Sequence, residues 1–99
     1  MDALEQLRET KENLPASLRA RILARGAEIV PELVDIMMDE DLGDAGTPAE
    51  GWPPIHAVDL LADLGAVEAI EPMLDLLEQT PFEALVHDRL LVRLPSFGA

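Results

Sequence analysis

Apolar residues recur at helical spacing through most of the chain, and no stretch alternates apolar and polar positions with β-branched residues, so the pattern predicts helices and no strands. The clearest block is Pro53 to Leu77. Trp52-Pro53-Pro54 opens a helix that runs to Leu64, Gly65-Ala66 forms a corner, and Val67 to Glu78 makes a partner helix with Pro72 near its start. Upstream, Asp2 and Glu5 have capping-box spacing, which starts a helix from Ala3 to about Asn13 with one narrow apolar stripe, Leu4 and Leu7. Leu14-Pro15 opens the next helix, faced by Leu18, Ile22 and Leu23 and stopped by Gly26 as a left-handed cap. Glu28 to Met38 is apolar over most of its girth and needs cover on two sides; Pro31 falls in its first turn, where proline is tolerated. Asp39 to Gly51 is the long connection, with a single helical turn expected at Thr47-Pro48-Ala49-Glu50, and Thr80-Pro81-Phe82-Glu83 starts a last helix to about Leu94.

Parts of the chain repeat. Ile22-Leu23-Ala24-Arg25-Gly26-Ala27 lines up with Leu60-Leu61-Ala62-Asp63-Leu64-Gly65-Ala66, and more loosely with the segment from Leu90 to Ala99. Leu33-Val34-Asp35-Ile36-Met37 lines up with Met73-Leu74-Asp75-Leu76-Leu77. The period is about 40 residues between the first two copies and about 30 for the third. Helical pairs at that spacing, with a Gly-Ala corner and an early proline in the second helix, resemble HEAT-like (armadillo-type) repeats from Leu14 to Ala99. The resemblance implies an all-α, right-handed superhelix of about two and a half hairpins behind an N-terminal capping helix, one domain over residues 1–99. Its first helices would lie outside and its second helices would line a concave face that binds proteins. Because each repeat buries its face on the next, a half repeat at the end implies either a fragment of a longer array or self-association through the open C-terminal end.

Charge sharpens this picture. Twenty acids against seven Lys and Arg give a net charge of −13, and Ala27 to Asp88 holds 16 acids without a single Lys or Arg. Such a surface repels a phosphate backbone, so nucleic acid and anionic membrane are excluded as partners and a basic protein surface is favoured. Hydrophobic content of 48% supplies the apolar area for a core, which has to be aliphatic because Trp52, Phe82 and Phe97 are the only aromatics. The absence of cysteine fits a reducing, cytoplasmic setting, and neither a signal peptide nor an apolar run of about 20 residues is present.

Five candidate features follow. Arg21 and Arg25, Asp59 and Asp63, and Arg89 and Arg93 fall at equivalent i and i+4 positions of three successive first helices, which predicts a charge ladder of alternating sign between repeats. Glu28, Glu32, Asp35 and Asp39, with Glu68, Glu71, Asp75 and Glu78, put one acidic stripe on each second helix. These are either solvated faces of amphipathic helices or one negative surface for a basic partner. The Asp39 to Glu50 loop has Asp at positions 1 and 3 and Glu at position 12 of a calcium-loop count, but Asp44 stands where the turn needs Gly and Pro48 intrudes, so a flexible acidic loop is the plainer reading. Trp52 is either a staple over the start of its helix or an aromatic anchor for a partner.

The fifth is metal or acid/base chemistry: His56, Asp59 and Asp63 share a helix face, with His87 and Asp88 on the next outer helix. Some HEAT-like enzymes, the deoxyhypusine hydroxylases, hold two irons with His-Glu pairs, yet His56 is followed by Ala57 and His87 by Asp88. No phosphate loop or nucleophile elbow appears either. The expectation is a non-enzymatic interaction scaffold without metal or cofactor; the alternative is an enzyme subunit or lyase-like relative that binds a small ligand.

Overall fold

A computed structural model of the chain describes residues 3–39, 51–79 and 85–94. Among them are six α-helices: α1 (Ala3–Arg8), α2 (Ala16–Leu23), α3 (Val30–Met38), α4 (Trp52–Leu64), α5 (Ile70–Gln79) and α6 (Leu85–Arg93). Short 3₁₀ turns, Gly26–Ile29 and Val67–Ala69, lead into α3 and α5. No strand occurs among the described residues, and none of their helices is long and apolar enough to cross a membrane. The Asp2 cap, the Thr47 turn, the calcium-like loop beyond Asp39 and the Thr80 start signal lie outside the described residues.

The ends of α4 follow from its sequence. Pro53 and Pro54 occupy its first turn, where backbone N–H groups have no intrahelical acceptor to lose. At the other end Gly65 takes φ of +65°, and the N–H groups of Gly65 and Ala66 donate to the carbonyls of Ala62 and Leu61 at 3.0 and 3.1 Å. That is a Schellman closure, and buried Ala66 folds back beside Leu61.

Two departures from the expected helices have local causes. The first helix ends at Arg8 rather than near Asn13. Thr10 Oγ1 donates to the Gln6 carbonyl at 2.7 Å, Glu9 and Thr10 N–H close tight turns onto Gln6 and Leu7, and nothing apolar between Arg8 and Asn13 calls for a longer buried face. The second helices begin as 3₁₀ turns because Pro31 and Pro72 bring no N–H to residues 27 and 68 and crowd those carbonyls, so the chain tightens before the α-helix starts.

One aliphatic core holds these elements together. Leu7, Ile22, Ile29, Leu33, Ile36, Met37, Leu60, Leu61, Met73 and Leu90 are its large, fully buried members. α4 sits at its centre: eight of its thirteen residues are buried, and it packs on α3, α6, α2 and α1. α2, α4 and α6 form one row, with α3 and α5 behind; the 19 Å thickness of the molecule matches two helix layers about 10 Å deep. α3 packs mainly on α4 and also touches α5. α4 packs more closely on α3 than on α5, its partner across the corner, because α5 buries only a narrow stripe centred on Met73. Leu74 of α5 and Leu91 and Val92 of α6 remain exposed.

Gly65 has open space where a Cβ would stand, so Gly65→Ala tests the backbone alone. The left-handed conformation costs an alanine about 1 kcal/mol, and the melting temperature should drop by roughly 4–8 °C. An unchanged melting temperature by circular dichroism would show that the corner does not depend on this conformation.

Candidate functional site

The turn spacing of α4 places Trp52, His56, Asp59 and Asp63 on one stripe, at i, i+4, i+7 and i+11. The stripe faces the two neighbours of α4 in its row and the segment between α1 and α2. His56 is 5% exposed, and its Nε2 donates to the Lys11 carbonyl, which fixes the tautomer at that nitrogen and straps the segment before α2 onto α4. The half-exposed Trp52 ring stacks on the imidazole with centroids 5.9 Å apart and an interplanar angle of 27°. In this geometry the tryptophan lies over the first turn of its own helix.

The two carboxylates of the stripe meet three guanidinium groups. Arg89 donates to Asp59, Arg93 Nη2 donates to Asp63 Oδ1 at 2.6 Å, and Arg19 donates to the other oxygen of Asp63. Arg93 Nε is buried 3.7 Å from Asp59 Oδ1, too far for a hydrogen bond. The Asp59 and Asp63 side chains are 23% and 24% exposed; the Asp59 pair with Arg89 is partly buried, while the Asp63 pairs with Arg19 and Arg93 lie at the surface. Burial pushes the Asp63 carboxyl up, but the hydrogen bonds from Arg93 and Arg19 and the charges of both outweigh it, and its pKa lies below the ordinary 3.8.

The ladder between α4 and α6 therefore joins Asp59 and Asp63 to Arg89 and Arg93. Between α2 and α4 the expectation needs correction: neither Arg21 nor Arg25 reaches α4, and Arg19 does. Leu18 and Ile22 define the buried face of α2, and Arg19 and Arg21 flank that face roughly 80° to either side. α1 lies on one flank and α4 on the other. Arg21 Nη1 thus donates to Gln6 Oε1 of α1 at 3.3 Å, while Arg19 takes the carboxylate. Arg25 lies beyond the end of α2 and pairs with Glu28 at 3.4 Å and Glu32 at 3.8 Å.

A cavity of about 390 Å³ opens over this stripe, lined by Glu12, Leu14 and Arg19 on one side, Trp52, His56, Asp59 and Asp63 on its floor, and Arg89 and Arg93 on the other. Glu12 and Leu14 went unnoticed in the sequence because they reach the site only through the path of the chain between α1 and α2, and Arg19 because only the packing of α4 on its side of α2 brings it there. No group of three or more His, Asp or Glu side chains among the described residues is arranged to hold a metal ion. His87 sits half-buried on α6 and Asp88 exposed beside it.

The acidic positions lie on the other layer. Glu28, Glu32 and Asp35 of the α3 segment and Glu68, Glu71, Asp75 and Glu78 of the α5 segment are exposed, and Asp39 is half-buried. α3 and α5 are in contact. Among the described residues Arg25 is the one base paired with this set, through Glu28 and Glu32. No family model, curated protein or solved structure matches the chain.

The lowered Asp63 pKa sets a pH dependence. A carboxylate less basic in the folded than in the unfolded chain contributes stability that is fully present above the ordinary pKa of 3.8 and is lost as pH falls through the folded value. Denaturant titrations from pH 6 to pH 2 should show wild type losing more stability than Asp63→Asn. Parallel curves would mean that the arginine contacts do not favour the ionised carboxylate.

Proposed function

We propose that this chain is a HEAT-like helical-repeat module, non-enzymatic, that binds a basic protein surface through the acidic face of its α3 and α5 segments. The observation that carries this reading is a set of five exposed carboxylates, Asp35, Glu68, Glu71, Asp75 and Glu78, that have no basic partner among the described residues. Asp35 stands on α3, Glu71, Asp75 and Glu78 on α5, and Glu68 on the 3₁₀ turn that leads into α5; α3 and α5 are in contact, in a stretch that contains no Lys or Arg from Ala27 to Asp88.

Physical cost supports a role for them. Like charges at i, i+3 and i, i+4 destabilise a helix by about 0.2–0.5 kcal/mol per pair. Glu68 with Glu71, Glu71 with Asp75, and Asp75 with Glu78 make three such pairs in one segment. A purely solvating face would be served better by mixed signs, which cost nothing and still hold water. A one-signed face accelerates encounter with an oppositely charged partner and rejects acidic ones. Arg25 tempers one end of the face through Glu28 and Glu32, which leaves the α5 segment as its strongest part. Exposed Leu74, Leu91 and Val92 at the α5–α6 end are the apolar residues through which a second copy would dock.

An arginine-rich peptide, titrated against the protein at several salt concentrations, tests the reading. Affinity should fall steeply between 50 and 300 mM salt, and an acidic peptide of equal length should not bind. The variant Glu68→Gln/Glu71→Gln/Asp75→Asn/Glu78→Gln should keep or raise the melting temperature and weaken binding at least tenfold. Binding that ignores both salt and this variant would refute the acidic face as the docking surface.

A further inference from the structure

The cavity over the α4 stripe gathers three of the seven bases of a strongly acidic chain. Its two walls hold three guanidinium groups, Arg19 on one side and Arg89 and Arg93 on the other, against three carboxylates, Asp59 and Asp63 on the floor and Glu12 at the side, so the lining is balanced within a chain whose net charge is −13. The hydrogen bonds use Nη2 of Arg19, Nη1 of Arg89 and Nη2 of Arg93. The other terminal nitrogen of each arginine has no acceptor among the described residues. Asp59 and Asp63 thus hold the guanidinium groups in place while leaving donor edges unfilled, and planar guanidinium edges favour carboxylate or phosphate oxygens over water.

Trp52 supplies the second half of a site. His56 backs its ring, and the Lys11 carbonyl in turn fixes His56, so the indole is held rather than free to swing. Leu14 adds apolar surface beside it in the cavity lining. A volume of about 390 Å³ falls within the usual range for small-ligand sites, roughly 300–1,000 Å³.

From the free guanidinium edges, the fixed indole and the cavity that joins them, we infer that this is a binding site for a small aromatic oxyanion, with its acid group on Arg19, Arg89 and Arg93 and its ring on Trp52. Glu12 is the one further charged side chain in the lining, exposed in the non-helical segment before α2. Its charge opposes an incoming anion, so it weakens binding and sets how readily the site fills. The site lies on the α2–α4–α6 row, apart from the acidic face of α3 and α5, and it stands or falls independently of that face.

Trp52 is the only tryptophan, which makes its fluorescence a direct reporter. Phenyl phosphate should change the emission saturably with 1:1 stoichiometry by calorimetry, at least tenfold more tightly than inorganic phosphate, and benzyl alcohol should give no saturable change. Arg19→Gln should weaken phenyl phosphate tenfold or more. That variant also breaks a contact to Asp63, so Glu12→Gln supplies an independent arm: it should tighten binding about threefold, a gain that loss of structure cannot produce. Absence of saturable binding, or binding that neither variant changes, would overturn the site. Inorganic phosphate binding as tightly as phenyl phosphate would overturn the role given to Trp52.

Discussion

Everything in this small protein depends on burying α4 without isolating the charges it carries. Ile55, Ala57, Val58, Leu60 and Leu61 turn into the aliphatic core, while His56, Asp59 and Asp63 sit between helices, where an unpaired polar group is costly. Each finds a partner on a different piece of chain: His56 on the Lys11 carbonyl, Asp59 on Arg89, and Asp63 on both Arg93 and Arg19. The apolar contacts supply most of the stability, since they are non-directional and extensive. The polar stripe supplies position. It specifies which helix lies on which side of α4, because replacing any neighbour by another would leave a half-buried carboxylate without its guanidinium.

That division of labour explains which features could be read from residues alone. Gly-Trp-Pro-Pro at one end of α4 and Leu-Gly-Ala at the other are strong local signals, and the helix runs from Trp52 to Leu64 as they indicate. Short-range competition changed the N-terminal helix, where the Thr10 hydroxyl takes the Gln6 carbonyl and α1 closes at Arg8. Asp59, Asp63, Arg89 and Arg93 are legible as a set because two long, well-patterned helices lie side by side. The choice between Arg19 and Arg21 is not, since both flank the Leu18–Ile22 face equally and only the placement of α1 and α4 breaks the tie. The cavity was least legible of all: Glu12 and Leu14 belong to an irregular segment held over α4 by contacts that include the Lys11 carbonyl on His56 and the packing of Leu14 against the core.

The two layers present opposite surfaces. On the α3 and α5 side, Arg25 pairs with Glu28 and Glu32, while Asp35, Glu68, Glu71, Asp75 and Glu78 have no basic partner among the described residues. On the α2–α4–α6 side, Arg19, Arg89 and Arg93 are drawn into pairs with Asp59 and Asp63 around one groove. A net charge of −13 therefore does not describe a uniformly acidic molecule. It describes a chain in which three of the seven bases, Arg19, Arg89 and Arg93, are gathered where α2, α4 and α6 meet.

Native-state amide hydrogen exchange tests the central place of α4 most directly, because it reads local stability residue by residue. If α4 is the element on which the others are assembled, the amides of Val58, Leu60 and Leu61 exchange only through global unfolding, with protection equal to the full unfolding free energy, while α1 and the end of α5 open earlier. Amides of α4 that exchange through a smaller opening, with α3 or α6 still protected, would contradict the account.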